Sequence, residues 1–166
     1  MSLYRVKQFY WSITSRLEEK DYGIINKFLN QEEIKLFNSI PIYEQKHCIK
    51  VALSVIELCK SNNIKSKGTL IKAALLHDIG KSYKTLNPFE KSIMVILDKV
   101  SKGRLKKYNN IRKIDIYYNH ADIGYKLLKS KGVYDERLLY LIKNHHNDSI
   151  VNDRELEILK ISDSNN

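Results

Sequence analysis

The chain has 166 residues, 43% of them apolar, and carries 29 Lys and Arg against 19 Asp and Glu, a formal charge of +10 at pH 7. That balance supports one compact domain and excludes collagen-like repeats and wholesale disorder. No apolar run approaches the roughly 20 residues of a membrane span, and the opening Met1-Ser2-Leu3-Tyr4-Arg5 lacks the apolar stretch of a signal peptide, so a cytoplasmic location without a membrane partner is expected.

Taken in chain order, nearly everything reads as helix. Val6, Phe9, Tyr10, Ile13 and Leu17 recur at helical spacing, and a short segment follows around Ile24, Ile25, Phe28 and Leu29. Asn30 with Glu33 forms a capping box for a helix whose apolar side is Ile34, Phe37 and Ile40, before Pro41 interrupts. A long helix carries Cys48, Val51, Ala52, Val55, Leu58 and Cys59 up to Ser61. A polar link from Asn62 to Gly68 leads to a short apolar helix, Leu70 to Leu76, ending in His77-Asp78-Ile79-Gly80-Lys81, where Gly80 suits a terminus with positive φ.

Pro88 after Asn87 starts a helix through Met94, Val95, Leu97 and Val100. Residues 101–113 then carry Lys102, Arg104, Lys106, Lys107, Arg112 and Lys113 with no acid. A helix from about Ile111 reaches His120, and a further stripe of Ile123, Leu127 and Leu128 is stopped by Gly132, with Asp122 read as a first-turn acid. Asp135 caps a helix carrying Leu138, Leu139, Leu141 and Ile142 that delivers His145 and His146. Asn152 with Glu155 gives a second capping box for the last helix, with Leu156, Leu159 and Ile161, which reaches Asp163. With no strand-like alternation and no repeat, the expected fold is all-α, a compact bundle of about eight to ten helices.

Two cysteines, Cys48 and Cys59, make neither a disulfide framework nor a zinc ribbon. The five histidines are more informative. His47, His77, His120, His145 and His146 each lie at or near the end of an apolar stripe, and separate helices of a bundle can project such side chains into one interior. A single histidine beside apolar residues is usually a hydrogen-bonded core side chain. A set that includes His77 next to Asp78, His145 next to His146 and a late Asp163 is instead the imidazole and carboxylate ligand type of borderline divalent ions. Such a donor set suits Mn, Fe, Co, Ni or Zn better than Mg.

The ordered series resembles the HD superfamily of metal-dependent phosphohydrolases: His47 in EQKHCIKVA, His77-Asp78 in AALLHDIGK, His120 in NHADIGYKLL, His145-His146 in LIKNHHNDS and Asp163 in LKISDSN. It resembles most the HDIG-type branch with an extended ligand set, related to the HD-GYP phosphodiesterases. The Gly-Tyr-Pro loop of that group is replaced here by Asn147-Asp148-Ser149-Ile150, and the glutamate some members place four residues before the first His is Tyr43, with Glu44 one place off. The resemblance implies one or two divalent transition metals. Asp78 would bridge them, with His47, His77 and Asp163 on one ion and His120, His145 and His146 on the other. It also implies that residues 41–166 are the metal-binding domain and 1–40 are N-terminal helices packed on it. Water activated by the metals as hydroxide would attack phosphorus, and Lys81 would stand near the substrate phosphate.

The implied activity is cleavage of a phosphoester, mono- or diester, of a nucleotide or other small phosphorylated substrate. Gly124, four residues after His120, would let a neighbour approach the helix backbone. The free ring nitrogen of each ligand would bond a partner such as Glu44, Asn144 or Asp148. The +10 charge and the run at 102–113 also suit a non-catalytic nucleotide- or RNA-binding module, for which Tyr108, Tyr117 and Tyr118 could stack bases. A di-iron oxygenase on the same fold is a third, less favoured reading.

Overall fold

The computed structural model describes residue 14, residues 16–62, residue 64, and residues 67–83 and 88–166. The stripe of Val6, Phe9, Tyr10 and Ile13 lies outside these residues, as do Asn87 and part of the link from Asn62 to Gly68. The described residues form an all-α bundle with no β-strand. Its helices are α1 (Glu19–Phe28), α2 (Gln31–Phe37), α3 (Ile42–Ser61), α4 (Lys67–Leu76), α5 (Pro88–Ser101), α6 (Arg112–Lys129), α7 (Glu136–Asn144) and α8 (Arg154–Ser164), with short 3-10 turns at Ile79–Tyr83 and Arg104–Tyr108. Among the described residues no helix is long and apolar enough to cross a membrane.

Local chemistry sets the element boundaries. The predicted box at Asn30 is present: its side chain accepts from the Glu33 amide at 2.9 Å, and Glu33 accepts from the Asn30 amide at 2.7 Å. Asp135 caps α7 by accepting from the Leu138 amide. At α8 the cap is not Asn152, which sits at φ +63°, but Asp153, which accepts from the Leu156 amide. Arg137 decides between them, since its guanidinium grips both Asp153 oxygens and Glu155 and so ties α7 to the start of α8.

The main core joins Ile25 and Phe37 to the buried faces of α3, α4, α7 and α8, including Val51, Val55, Leu75, Leu141 and Leu159. On α8 the inward position is Ile158 rather than the predicted Ile161, which is exposed. A smaller cluster of Met94 and Ile114 holds α5 to α6. Of the stripe predicted for α5, only Met94 turns fully inward, while Leu97 and Val100 are exposed.

The two helices expected around His120 are one, α6, which runs without a break from Arg112 to Lys129. Asp122 is consequently a mid-helix residue paired with Lys126 at 2.5 Å, not a first-turn acid. The helix crosses directly over the turn that follows α4. Gly80 is not at positive φ; it is needed because any Cβ there would stand 1.9 Å from the His120 carbonyl oxygen and 2.7 Å from the Gly124 amide. Gly124 faces back, where a Cβ would meet the Gly80 nitrogen at 3.1 Å and Ile79 Cγ2 at 3.2 Å. The neighbour admitted by Gly124 is therefore the backbone of the His-Asp turn. This backbone-on-backbone contact carries His120 to Asp78.

Gly80→Ala has no flexible side chain to push aside. It is expected to destabilise the fold by about 3 kcal/mol or more, and Gly124→Ala, with softer contacts, by about 1–2 kcal/mol, measured by urea unfolding. Equal costs for the two would speak against this crossing.

Candidate metal centre

Five histidines and two aspartates converge at the crossing of α3, α4, α6, α7 and α8. His47 comes from the second turn of α3, His77 and Asp78 follow the end of α4, and His120 lies mid-way along α6. His145 and His146 follow the end of α7, and Asp163 is in the last turn of α8. Adjacent imidazole centroids are 5.4 Å apart for His47–His77, 5.0 Å for His77–His145, 4.9 Å for His120–His146 and 4.0 Å for His145–His146.

Two groups are resolved. The ligand atoms of His47, His77 and Asp163 lie within 4.8 Å of one another, and so do those of His120, His145 and His146. Asp78 stands between them. Its Oδ1 is 3.3 Å from His120 Nε2, while Oδ2 is 3.5 Å from His77 Nε2 and 3.8 Å from His47 Nε2. Each group could chelate a cation, with one Asp78 oxygen facing each.

The ring orientations have a backbone cause. A helix C-terminus leaves carbonyls without intrahelical partners. His77 and His145, just past such ends, use Nδ1–H to donate to the carbonyls of Ala74 and Ile142 at 2.9 and 2.6 Å. His120 Nδ1–H donates to the Ile116 carbonyl at 3.2 Å. A carbonyl can only accept, so in each neutral ring Nδ1 carries the proton and Nε2 presents a lone pair to the interior. The expected side-chain partners Glu44, Asn144 and Asp148 do not fill this role, because the backbone is nearer. Asn144 instead donates to the Tyr140 carbonyl.

That geometry provides a test for a metal. His77 Nε2 and His145 Nε2 are both buried and lack any hydrogen-bond partner among the described residues. Buried polar atoms are rarely left so. His120 Nε2 and His146 Nε2 face each other at 3.0 Å, lone pair toward lone pair unless a proton or a cation intervenes. The donors therefore fit a divalent ion in each group, and they supply nitrogen and carboxylate oxygen as a borderline ion requires.

Charge divides the two groups. Burial opposes protonation of His77, yet the carboxylates of Asp78 and Asp163 outweigh it and hold its pKa well above the ordinary imidazole value. Burial together with neighbouring imidazoles pushes His145 well below that value. His120 is pushed down to about 4, by burial first and by Lys81 next. Asp78 is 1% exposed. Burial alone would raise its pKa, but Lys81, His77, His120 and His47 keep it well below the usual carboxylate range. Asp163 is held low by the 2.9 Å hydrogen bond from His47 and by the nearby His77 ring, against the cost of its burial.

Lys81 is not a solvated surface lysine. Its Nζ bonds Asp78 Oδ2 at 2.5 Å and Glu44 Oε2 at 3.1 Å. Glu44 is thus buried one turn below His47 as a partner of Lys81, a role its sequence position does not announce. Cys48, the residue after His47, also lies at the centre. Its sulfur groups with His77 and Asp78, but complete burial raises the thiol pKa, so no thiolate is offered.

A cavity of about 460 Å³ opens on the centre. His47, Asp78, Lys81, His120, His146 and Asp163 line it, and so do Tyr43, Val95, Ile116 and Tyr117. Asp98, also on the wall, accepts from the Tyr118 hydroxyl.

A model of the HD domain family matches residues 45–164, well over half of the chain, and the chain belongs to that family. No curated protein and no solved structure matches it. Family, fold and the two donor groups are consistent with metal-dependent hydrolysis in general terms.

With His120 held near 4 in the fold against 6.5 for a free imidazole, acid protonates the unfolded chain first. Its contribution is complete above about pH 6.5 and is lost as pH falls toward about 4, while the raised His77 acts in the opposite sense. Chelator-treated wild type should therefore lose about 2 kcal/mol more between pH 7 and pH 5 than His120→Asn, read by urea unfolding. Parallel profiles would contradict the assignment of a buried neutral ring.

Proposed function

We propose that this HD-domain chain is a phosphohydrolase of the HDIG type that cleaves a phosphoester of a nucleotide or similarly small substrate. His47, His77 and Asp163 hold one divalent transition-metal ion, His120, His145 and His146 hold a second, and Asp78 spans both. The observation that carries this reading is the position of Asp78, buried between two separate donor groups with one oxygen toward each. Bound ions of this kind lower the pKa of water toward neutrality and offset charge on phosphate oxygens.

The chain's own residues supply the rest. Burial of Asp78 keeps it ionised only while cations surround it, which makes it the anchor of the whole arrangement. The Lys81 ammonium, on the cavity wall beside Asp78, is placed to donate to a phosphate oxygen once Asp78 is shared with metal. Its pKa is raised because Asp78 and Glu44 outweigh burial, so it stays charged throughout the neutral range. Tyr43 and Tyr117 on the cavity wall support a flat apolar group on the substrate, as a nucleobase is. Asp98 and Tyr118, which also line it, offer polar contacts. A space of about 460 Å³ admits a mononucleotide and supports a small substrate over a folded polymer.

Elemental analysis of purified wild type is expected to find one or two transition metals per chain. Asp78→Ala should lose both and all turnover of a nucleotide panel assayed with Mn²⁺ or Fe²⁺. Lys81→Ala should retain the metals and lose about 10²-fold or more in kcat/KM. Full metal occupancy with turnover in Asp78→Ala would refute the bridging role, and hydrolysis that persists after chelation would refute the reading as a whole.

A further inference from the structure

The helix α5 is built inside out. Ile93, Ile96, Leu97 and Val100 follow the i, i+3, i+4, i+7 spacing of one helical face, which in a globular domain is normally the buried one. Here that face is turned to solvent: Ile96 is 49% and Val100 76% exposed, with Ile93 and Leu97 also exposed. The acids of the same helix point inward instead. Glu90 accepts from Lys113, and Asp98 accepts from the Tyr118 hydroxyl, both on α6.

The apolar face runs into uncompensated positive charge. Lys102 at φ +51° and Gly103 at φ +77° end α5 and turn the chain into the 3-10 segment Arg104–Tyr108. A second cavity, about 450 Å³, lies at that corner, lined by Val100, Ser101, Lys102, Arg104, Leu105 and Tyr108. Lys102, Arg104, Lys106 and Lys107 are exposed and have no carboxylate partner among the described residues.

We propose that the outer face of α5 and the basic turn after it dock on the surface of an anionic lipid bilayer. The aliphatic side chains enter the boundary between headgroups and acyl chains, and the four cations meet acidic headgroups. With 14 residues α5 is too short to span and lies along the surface. The sequence expectation of no membrane partner rested on the lack of a spanning segment, a criterion that a surface-lying helix does not meet or fail. Charge selects this occupant over a second copy of the chain, which would bring the same cations to the contact. Four aliphatic side chains also fall well short of the roughly 20–30 residues a side of a stable protein interface. RNA would match the cations but leaves the aliphatic face uncovered.

The test uses the full chain with large unilamellar vesicles, of phosphatidylcholine alone or of phosphatidylcholine and phosphatidylglycerol in equal parts. Co-sedimentation is expected with the second composition, little with the first, and less as salt rises. Lys102→Ala with Arg104→Ala should weaken binding by about 25-fold, about fivefold per cation. Ile96→Glu with Val100→Glu should abolish it while thermal unfolding and metal content stay as in wild type, since both positions are exposed. Equal binding to both vesicles, or retention by the double Glu variant, overturns the proposal. So does a concentration-dependent dimer abolished by that variant with no vesicle binding, or binding of a single-stranded RNA oligonucleotide that the Glu pair leaves intact in a protein that ignores vesicles.

Discussion

A carboxylate buried among imidazoles dictates much of this structure. Asp78 is nearly inaccessible, and an isolated charge at that depth would be neutralised by protonation or would unfold its surroundings. It persists because Lys81 bonds it from one side and imidazoles from three helices face it from the others. Glu44 then follows as a necessity, sharing the Lys81 ammonium so that the buried cation is balanced in its turn. The chemistry of the centre and the packing of the bundle are therefore one problem with one solution.

The convergence depends on backbone as much as on side chains. Two glycines on different elements allow α6 to lie against the His-Asp turn, and at Gly80 the approach leaves no room for a Cβ. Helix ends contribute in a second way: the carbonyls that α4 and α7 cannot use internally are the ones that hold His77 and His145. The termination of two helices thus becomes the means of aiming two donors.

Much of this was legible in the sequence, and the failures share a cause. Apolar spacing located the long helix α3, the caps at Asn30 and Asp135, and the all-α class, because those signals are local. The convergence of His47, His77, Asp78, His120, His145, His146 and Asp163 on one centre was legible through the ordered motif. What stayed hidden depends on contacts between distant segments. Gly80 looked like a helix terminator, since only the tertiary crossing shows the carbonyl that excludes a Cβ. Asn152 looked like a cap because the grip of Arg137 on Asp153 is a contact across 16 residues. The continuity of α6 across His120 lay between two separate apolar stripes, and the α5 stripe could not be given a direction because periodicity reports a face without saying which way it turns.

The backbone bonds to three of the rings divide the centre into a rigid floor and an adjustable rim. His77, His120 and His145 are oriented when the chain folds, so the rotamer entropy of those ligands is surrendered before any ion arrives. Capture of a cation on that floor would carry little ordering cost, and fixed spacing would favour ions of one size over another. Among the described residues His47 and His146 bond neighbouring side chains rather than a backbone carbonyl. Such rings can swing aside at small cost, so the rim, rather than the floor, would be the route by which an ion enters, leaves or is exchanged for another.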